Sequence, residues 1–152
     1  MKKLLLVFFA LISFTACKKD KEITPKPTAL ADKFVGTYKL NSFRFIDTQS
    51  QINLDLPTLP LTKDGQTISG TVALVKKTDT TVDMNFKLKS SDTEDFAFDI
   101  ADLEVRQVGS EYGLFVDGLR VADVEGSVVI FNFSETDPTT KARYEMAYVA
   151  KR

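Results

Sequence analysis

From residue 71 to residue 148 apolar side chains recur at every second position, and that period constrains the fold more than any other feature. Val82, Met84, Phe86 and Leu88 alternate with Asp83, Asn85, Lys87 and Lys89. Successive side chains of an extended strand point to opposite faces, so such a run sets one apolar face on a core and one polar face in water. The pattern returns in Val72 and Leu74, in Phe96, Phe98 and Ile100, in Leu103 and Val105, in Tyr112, Leu114 and Val116, in Leu119 and Val121, across 127–134, and in Tyr144, Met146 and Tyr148. Turn signals separate the runs: Thr78-Asp79-Thr80-Thr81, the polar stretch 90–95, Gly109-Ser110, Asp117-Gly118, Glu125-Gly126, and 135–140 with Asp137-Pro138. Turns spaced every ~8–12 residues mark an all-β sandwich or barrel. No long segment carries a helical stripe.

Two runs change step. In Gly36-Thr37-Tyr38-Lys39-Leu40-Asn41-Ser42-Phe43-Arg44-Phe45, Tyr38 and Leu40 share one parity, and Phe43 and Phe45 share the other. A second switch falls near Asp102, between Ile100 and Leu103. A strand that keeps one face inward across such a switch needs a bulge or a corner, here near Asn41-Ser42. The alternative is a strand buried on both faces, which polar Lys39, Asn41 and Arg44 disfavour. A bent first strand lets a small sheet curl shut and removes its edges. The expectation is therefore an all-β chain, a small antiparallel up-and-down barrel of about eight strands closed by 143–151 against 36–45, with a β-sandwich as runner-up.

Composition narrows function by exclusion. The 152 residues suit one domain, and a formal charge of −1 offers no broad basic surface for nucleic acid. The chain has no histidine, the commonest general base, and its one cysteine makes neither an internal disulfide nor a thiolate metal cluster. No glycine-rich phosphate loop or nucleophile elbow is present. The expected protein is not an enzyme and carries no cofactor and no metal.

The cysteine belongs to the N-terminus. Met1-Lys2-Lys3 is basic, and Leu4 to Ile12 is apolar but shorter than the ~20 residues of a comfortable membrane span. The stretch reads as a secretory signal. Phe14-Thr15-Ala16-Cys17 resembles the bacterial lipobox, with Phe14 where leucine is usual. The resemblance implies cleavage before Cys17, a diacylglycerol on its sulfur and a further acyl chain such as palmitate on its amine. Three chains anchor a protein to a membrane stably. Lys18, in place of an inner-membrane retention aspartate, favours the bacterial outer membrane. The charged run Lys18-Lys19-Asp20-Lys21-Glu22 leaves the periplasmic and cell-surface faces both open. The expected division is a signal peptide over 1–16, an acylated cysteine and flexible tether over 17–31, and the β domain over 32–152. A single helical turn is expected at the domain entrance, capped by Thr28 and stopped by Gly36.

Phe34-Val35-Gly36-Thr37-Tyr38-Lys39-Leu40 resembles the first-strand motif of lipocalins and of small bacterial lipocalin-like lipoproteins, with Gly36-Thr37-Tyr38 in place of Gly-x-Trp. The resemblance implies a barrel open at one end that binds a small hydrophobic ligand. In that family an arginine covers the motif tryptophan, and Arg143 and Arg152 are both candidates for the role. The stretch 135–140 is too short for the C-terminal helix of larger lipocalins.

The segment 49–66 is long and apolar, and Pro57 and Pro60 argue against a central strand. Its leucines Leu54, Leu56, Leu59 and Leu61 are candidate ligand contacts, with Phe43 and Phe45, if the segment is a lid over the mouth. On that reading 49–66 is a loop between the first and second strands; the alternative is an irregular strand that plugs a filled barrel. The phenylalanines of the strands are either a cavity lining or ordinary core. Asp92, Glu94, Asp95, Asp99 and Asp102 have no ion-loop spacing and read as a solvated stretch. Asp79-Thr80-Thr81 resembles a short bacterial O-glycosylation signal, which makes Thr80 a candidate. Together these features predict a membrane-anchored envelope lipoprotein that binds a small hydrophobic or amphipathic molecule. The alternative is a structural lipoprotein whose plugged barrel contacts envelope proteins or glycans. Oligomeric state is left open.

Overall fold

A computed structural model describes residues 29–152. The expected signal peptide, Cys17, the tether to residue 28 and the Thr28 cap lie outside the described residues. Ten strands follow one 3-10 turn, Leu30–Lys33. They are β1 (Gly36–Asp47), β2 (Ile52–Leu56), β3 (Leu61–Lys63), β4 (Gln66–Lys76), β5 (Thr81–Ser90), β6 (Phe96–Val108), β7 (Glu111–Val116), β8 (Leu119–Glu125), β9 (Val128–Thr136) and β10 (Arg143–Lys151). Among the described residues no helix is long and apolar enough to cross a membrane.

The sheet order is β2-β1-β10-β9-β8-β7-β6-β5-β4-β3, and β1 also pairs with β4. That last pairing closes eight strands into an antiparallel barrel. Every closing pair is antiparallel, and β10 runs against β1 from Lys39↔Lys151 to Asp47↔Tyr144. The two-residue turn Asp117-Gly118 has positive φ at both positions, 49° and 82°, as a type I′ hairpin requires.

The first change of step is a bulge. The β1–β10 register slips between Leu40 and Ser42, so Asn41 is the extra residue, exposed, and the inward set passes from Tyr38 and Leu40 to Phe43 and Phe45. The bend also splits the wall. Gly36 to Lys39 pair with β4, whereas Phe43 to Asp47 pair with β2. The wedge between them is filled from 57–60: the Leu59 N–H donates to the Asn41 carbonyl at 2.8 Å, and the Leu59 side chain is buried. Leu40 occupies the other side of the wedge, over Gly70, where a Cβ would stand 2.3 Å from Leu40 Cδ1. The second change of step is a bulge too. Val82 pairs with Leu103 but Met84 with Ile100, and Asp102 takes φ 58°. The Asp83 carboxylate accepts from the Asp102 N–H at 2.9 Å, and Lys77 Nζ sits 2.7 Å from Asp102 Oδ1.

Two expectations need correction. The stretch 49–66 is not a loop: it holds β2 and β3, short flanking strands whose partner lies on one side only, so Pro57 and Pro60 fall between strands and cost no ladder bond. The entrance turn is flanked by Ala29, which makes no side-chain cap bond, and by Phe34, not by Gly36. A buried Ala31, whose N–H donates to the Asp79 carbonyl at 3.0 Å, holds that turn in place of a cap.

The turn closes one end of the barrel. Phe34 packs on Tyr112 with ring centroids 5.0 Å apart, and the Tyr38 hydroxyl donates to the Phe34 carbonyl at 2.7 Å. Arg152 completes the seal. Its guanidinium donates to the carbonyls of Val35, Lys33 and Gly126 and stands 5.0 Å from the Tyr38 ring centroid. Above this floor Val72, Leu74, Val82, Met84, Leu103, Leu114, Val129 and Ala150 have essentially no exposure. Burying each of the valine, leucine and methionine side chains among these contributes roughly 1.5–3 kcal/mol.

Candidate functional site

The other half of the barrel is open. It is ringed by the turns at 48–51, 64–65, 91–95, 117–118 and 137–142. The inward rows reach it with large apolar residues that are only partly covered: Phe45 on β1, Phe98 and Ile100 on β6, Val116 on β7, Phe133 on β9 and Met146 on β10. Leu119 at the start of β8 is 58% exposed. These residues line a cavity of ≈ 550 Å³, within the ~300–1,000 Å³ typical of small-molecule sites.

Aromatic packing forms the cavity floor. Tyr148 stacks on Phe131 with centroids 4.9 Å apart and planes 2° from parallel, and it meets Phe86 at 5.4 Å. Phe43 lies 5.1 Å from Phe86. The Tyr148 hydroxyl points into the closed half, where the Met84 sulfur accepts from it at 2.7 Å. Burial pushes the Tyr148 hydroxyl pKa far above the ordinary phenol value, so this group stays neutral. The floor is apolar and uncharged.

The rim is polar and acidic. Asp117, Glu135 and Glu145 are the charged residues of the cavity wall, Tyr144 adds a hydroxyl, and neither lysine nor arginine contributes. Glu145 points outward and is engaged by both Arg44 (3.4 Å) and Arg143. Tyr144 sits between Glu135 and Asp47 in the pairing across β9, β10 and β1, and its hydroxyl donates to Gln49 Oε1 at 2.8 Å. Asp47 is buried, and the Ser50 hydroxyl with the Ser50 and Gln49 N–H groups holds its carboxyl below the usual range, so it is ionised at neutral pH.

The residues proposed from sequence are dispersed by this geometry. Phe45 is in the cavity wall and Phe43 is part of the floor beneath it. Leu56 and Leu59 are buried in the barrel wall, Leu54 is half-buried opposite Phe45, and Leu61 is exposed on β3. None of the four leucines lines the cavity. The strand phenylalanines divide by height: Phe86 and Phe131 are buried, Phe98 and Phe133 are partly open, Phe96 is 42% exposed, and Phe115 lies outside under the Arg106 guanidinium at 4.8 Å. Parity identifies the inward residues; which of them meet open space depends on distance from the mouth. Among the wall residues missed from sequence are Ile100, Val116, Leu119, Val121, Tyr144 and Met146, which lie on the parts of their strands that reach the open end.

The acidic stretch 92–102, in the β5–β6 turn and along β6, comes apart into separate surface contacts. Asp92 accepts from Gln66, Asp99 from Asn85, Asp95 pairs with Lys87 at 2.7 Å and Asp102 with Lys77. Thr80 is exposed in the β4–β5 turn.

No family model matches the chain, and no curated protein matches it. Among solved structures, a de novo designed fluorescence-activating β-barrel is similar, with 23% identity and a TM-score of 0.39 over 82% of this chain and 98% of that one. A likeness of that size carries no argument about ligand or activity.

Proposed function

We propose that this protein is a non-enzymatic binding module that holds one small hydrophobic or amphipathic molecule in the open half of its barrel. The observation that carries the reading is the asymmetry of the interior: a filled closed half beneath a ≈ 550 Å³ cavity walled by partly exposed Phe45, Phe98, Phe133 and Met146. Leaving such side chains in contact with water costs roughly 25 cal/mol per Å², and an apolar ligand would recover it. The resemblance to lipocalin-like lipoproteins gains support from Arg152, which covers Tyr38 as the family's arginine covers its tryptophan. The lipobox-like Phe14-Thr15-Ala16-Cys17 supports attachment through acyl chains on Cys17 to the bacterial outer membrane, with the barrel as the whole folded domain. A plugged, purely structural barrel fits the closed half and not the mouth.

Native mass spectrometry of the protein extracted from its own membrane tests this reading. A co-purified small amphiphile lost on Met146→Trp, together with a mass matching triacylated Cys17 and loss of residues 1–16, is the expected result. A chain that carries nothing and takes up no added dodecanol overturns the binding function. A cytosolic, unacylated chain overturns the anchor.

A further inference from the structure

The cavity combines apolar walls with a one-signed rim. Three carboxylates and no cation stand in its wall, and only Glu145 is neutralised, by Arg44 and Arg143 on the outer face. Asp117 and Glu135 take part in no ion pair among the described residues. Asp117 sits in the β7–β8 turn, and Glu135 stands at the inward position opposite Tyr144, with ionised Asp47 one strand further on. An apolar-walled mouth with charge of one sign focuses the field on whatever head group sits there.

We infer that the occupant, on the reading proposed above, is a single-chain amphiphile with a cationic head, its tail in the aromatic cup and its head between Asp117 and Glu135. A carboxylate head is disfavoured at the same place by the same two groups. The apolar floor gives the orientation: Phe43 and Phe131 carry no polar side-chain atom and the Tyr148 hydroxyl is already bonded to Met84, and burying a charge there without a partner is costly.

The test presents the protein as extracted from its own membrane, in a nonionic detergent, with equimolar dodecyltrimethylammonium, laurate and dodecanol, and reads the bound species by native mass spectrometry. The ammonium adduct is expected to exceed the laurate adduct by about tenfold, with dodecanol between them, as two exposed charge pairs allow. The excess should shrink as salt is raised, because the Debye length is ~10 Å at 0.1 M and shortens from there. The double variant Asp117→Asn/Glu135→Gln should equalise the ammonium and laurate adducts and keep the dodecanol adduct, which also reports that its cavity is intact. Laurate bound as well as the ammonium, or a preference that survives the double variant, overturns the head-group assignment alone. Failure of dodecanol to bind removes the cavity reading, and this inference with it.

Discussion

The Arg152 guanidinium lies over the Tyr38 ring, 5.0 Å from its centroid, and joins the last residue of the described chain to the first strand. The same group gathers carbonyls from Lys33 and Val35 in the entrance segment and from Gly126 in the β8–β9 turn, so both are tied to the end of β10 by one side chain. Tyr38 is fully buried, and burial raises its hydroxyl pKa, with Arg152 acting in the opposite sense. Gly36 beside it has φ 148°, and a Cβ there would stand 3.3 Å from Arg152 Nη1.

Replacing Arg152 with alanine should lower unfolding stability by about 1–2 kcal/mol, since charge-assisted hydrogen bonds and a cation–π contact are lost from a partly solvated site. Arg152→Lys should recover less than half of this, because an ammonium lacks the planar fork. Urea denaturation of both variants checks it. Equal stability of Arg152→Ala and the parent would show that the closed end is held by the apolar contacts alone.

The bulge at Asp102 should depend on Asp83. Asp83→Ala removes the acceptor that holds the Asp102 N–H and should cost about 1 kcal/mol. Asp102→Val places a β-branched residue at φ 58° and should cost more, about 1–3 kcal/mol. Hydrogen exchange should show the loss of protection confined to β5 and β6 in the first variant.

Gly70→Val should be among the most damaging single changes outside the cavity. Its side chain would collide with Leu40 Cδ1 at 2.3 Å and with the Lys87 carbonyl at 2.9 Å, and overpacking of this kind costs typically ~1–3 kcal/mol. Adding Leu40→Ala should return part of the loss, and thermal melts of the single and double variants measure the coupling.

Met146→Trp should fill part of the cavity without unfolding the barrel, since the wall has open space on its inner side. The parent has no tryptophan, so the new side chain is also a clean fluorophore. A blue-shifted emission and loss of bound amphiphile are expected; a red, fully solvated emission would place residue 146 outside the cup.

Acid should loosen the mouth before the floor. The Asp47 carboxyl is held low by the Ser50 hydroxyl and the Ser50 and Gln49 N–H groups, and that of Asp137 by the Thr140 and Thr139 N–H groups. A folded-state pKa below the unfolded value of 3.8 contributes stability that is complete above that value and is lost as pH falls through the lower, folded one. Asp47→Asn with Asp137→Asn should therefore lower the melting temperature at neutral pH and flatten its fall below about pH 4. An unchanged acid limb would locate the sensitive carboxylates elsewhere.

Most strand positions, the turns at Gly109 and Asp117-Gly118, the loop expected over 135–140 and found at 137–142, and the bends at Asn41 and Asp102 were legible in the chain, because each is a local event written in a period of two and in turn chemistry. The segment 52–63 was misread for the complementary reason: its strands are short, each has one partner, and prolines between them look the same as prolines in a loop. Leu56 and Leu59 then pack as wall because the diverging β1 and β4 leave a wedge that only the folded barrel contains.

The sequence by itself determined most of the inward rows, since parity along an extended chain is a covalent property of alternation, and it determined where the first strand must bend; the slip between β7 and β8 that buries both Val121 and Ala122 is not written in that period. Tertiary structure decided which inward residues are core and which are cavity, and which arginine covers Tyr38. Those outcomes depend on where the barrel closes and on how far each residue stands from its mouth, and both are set by contacts between strands distant in sequence, such as β1 with β4 and β10.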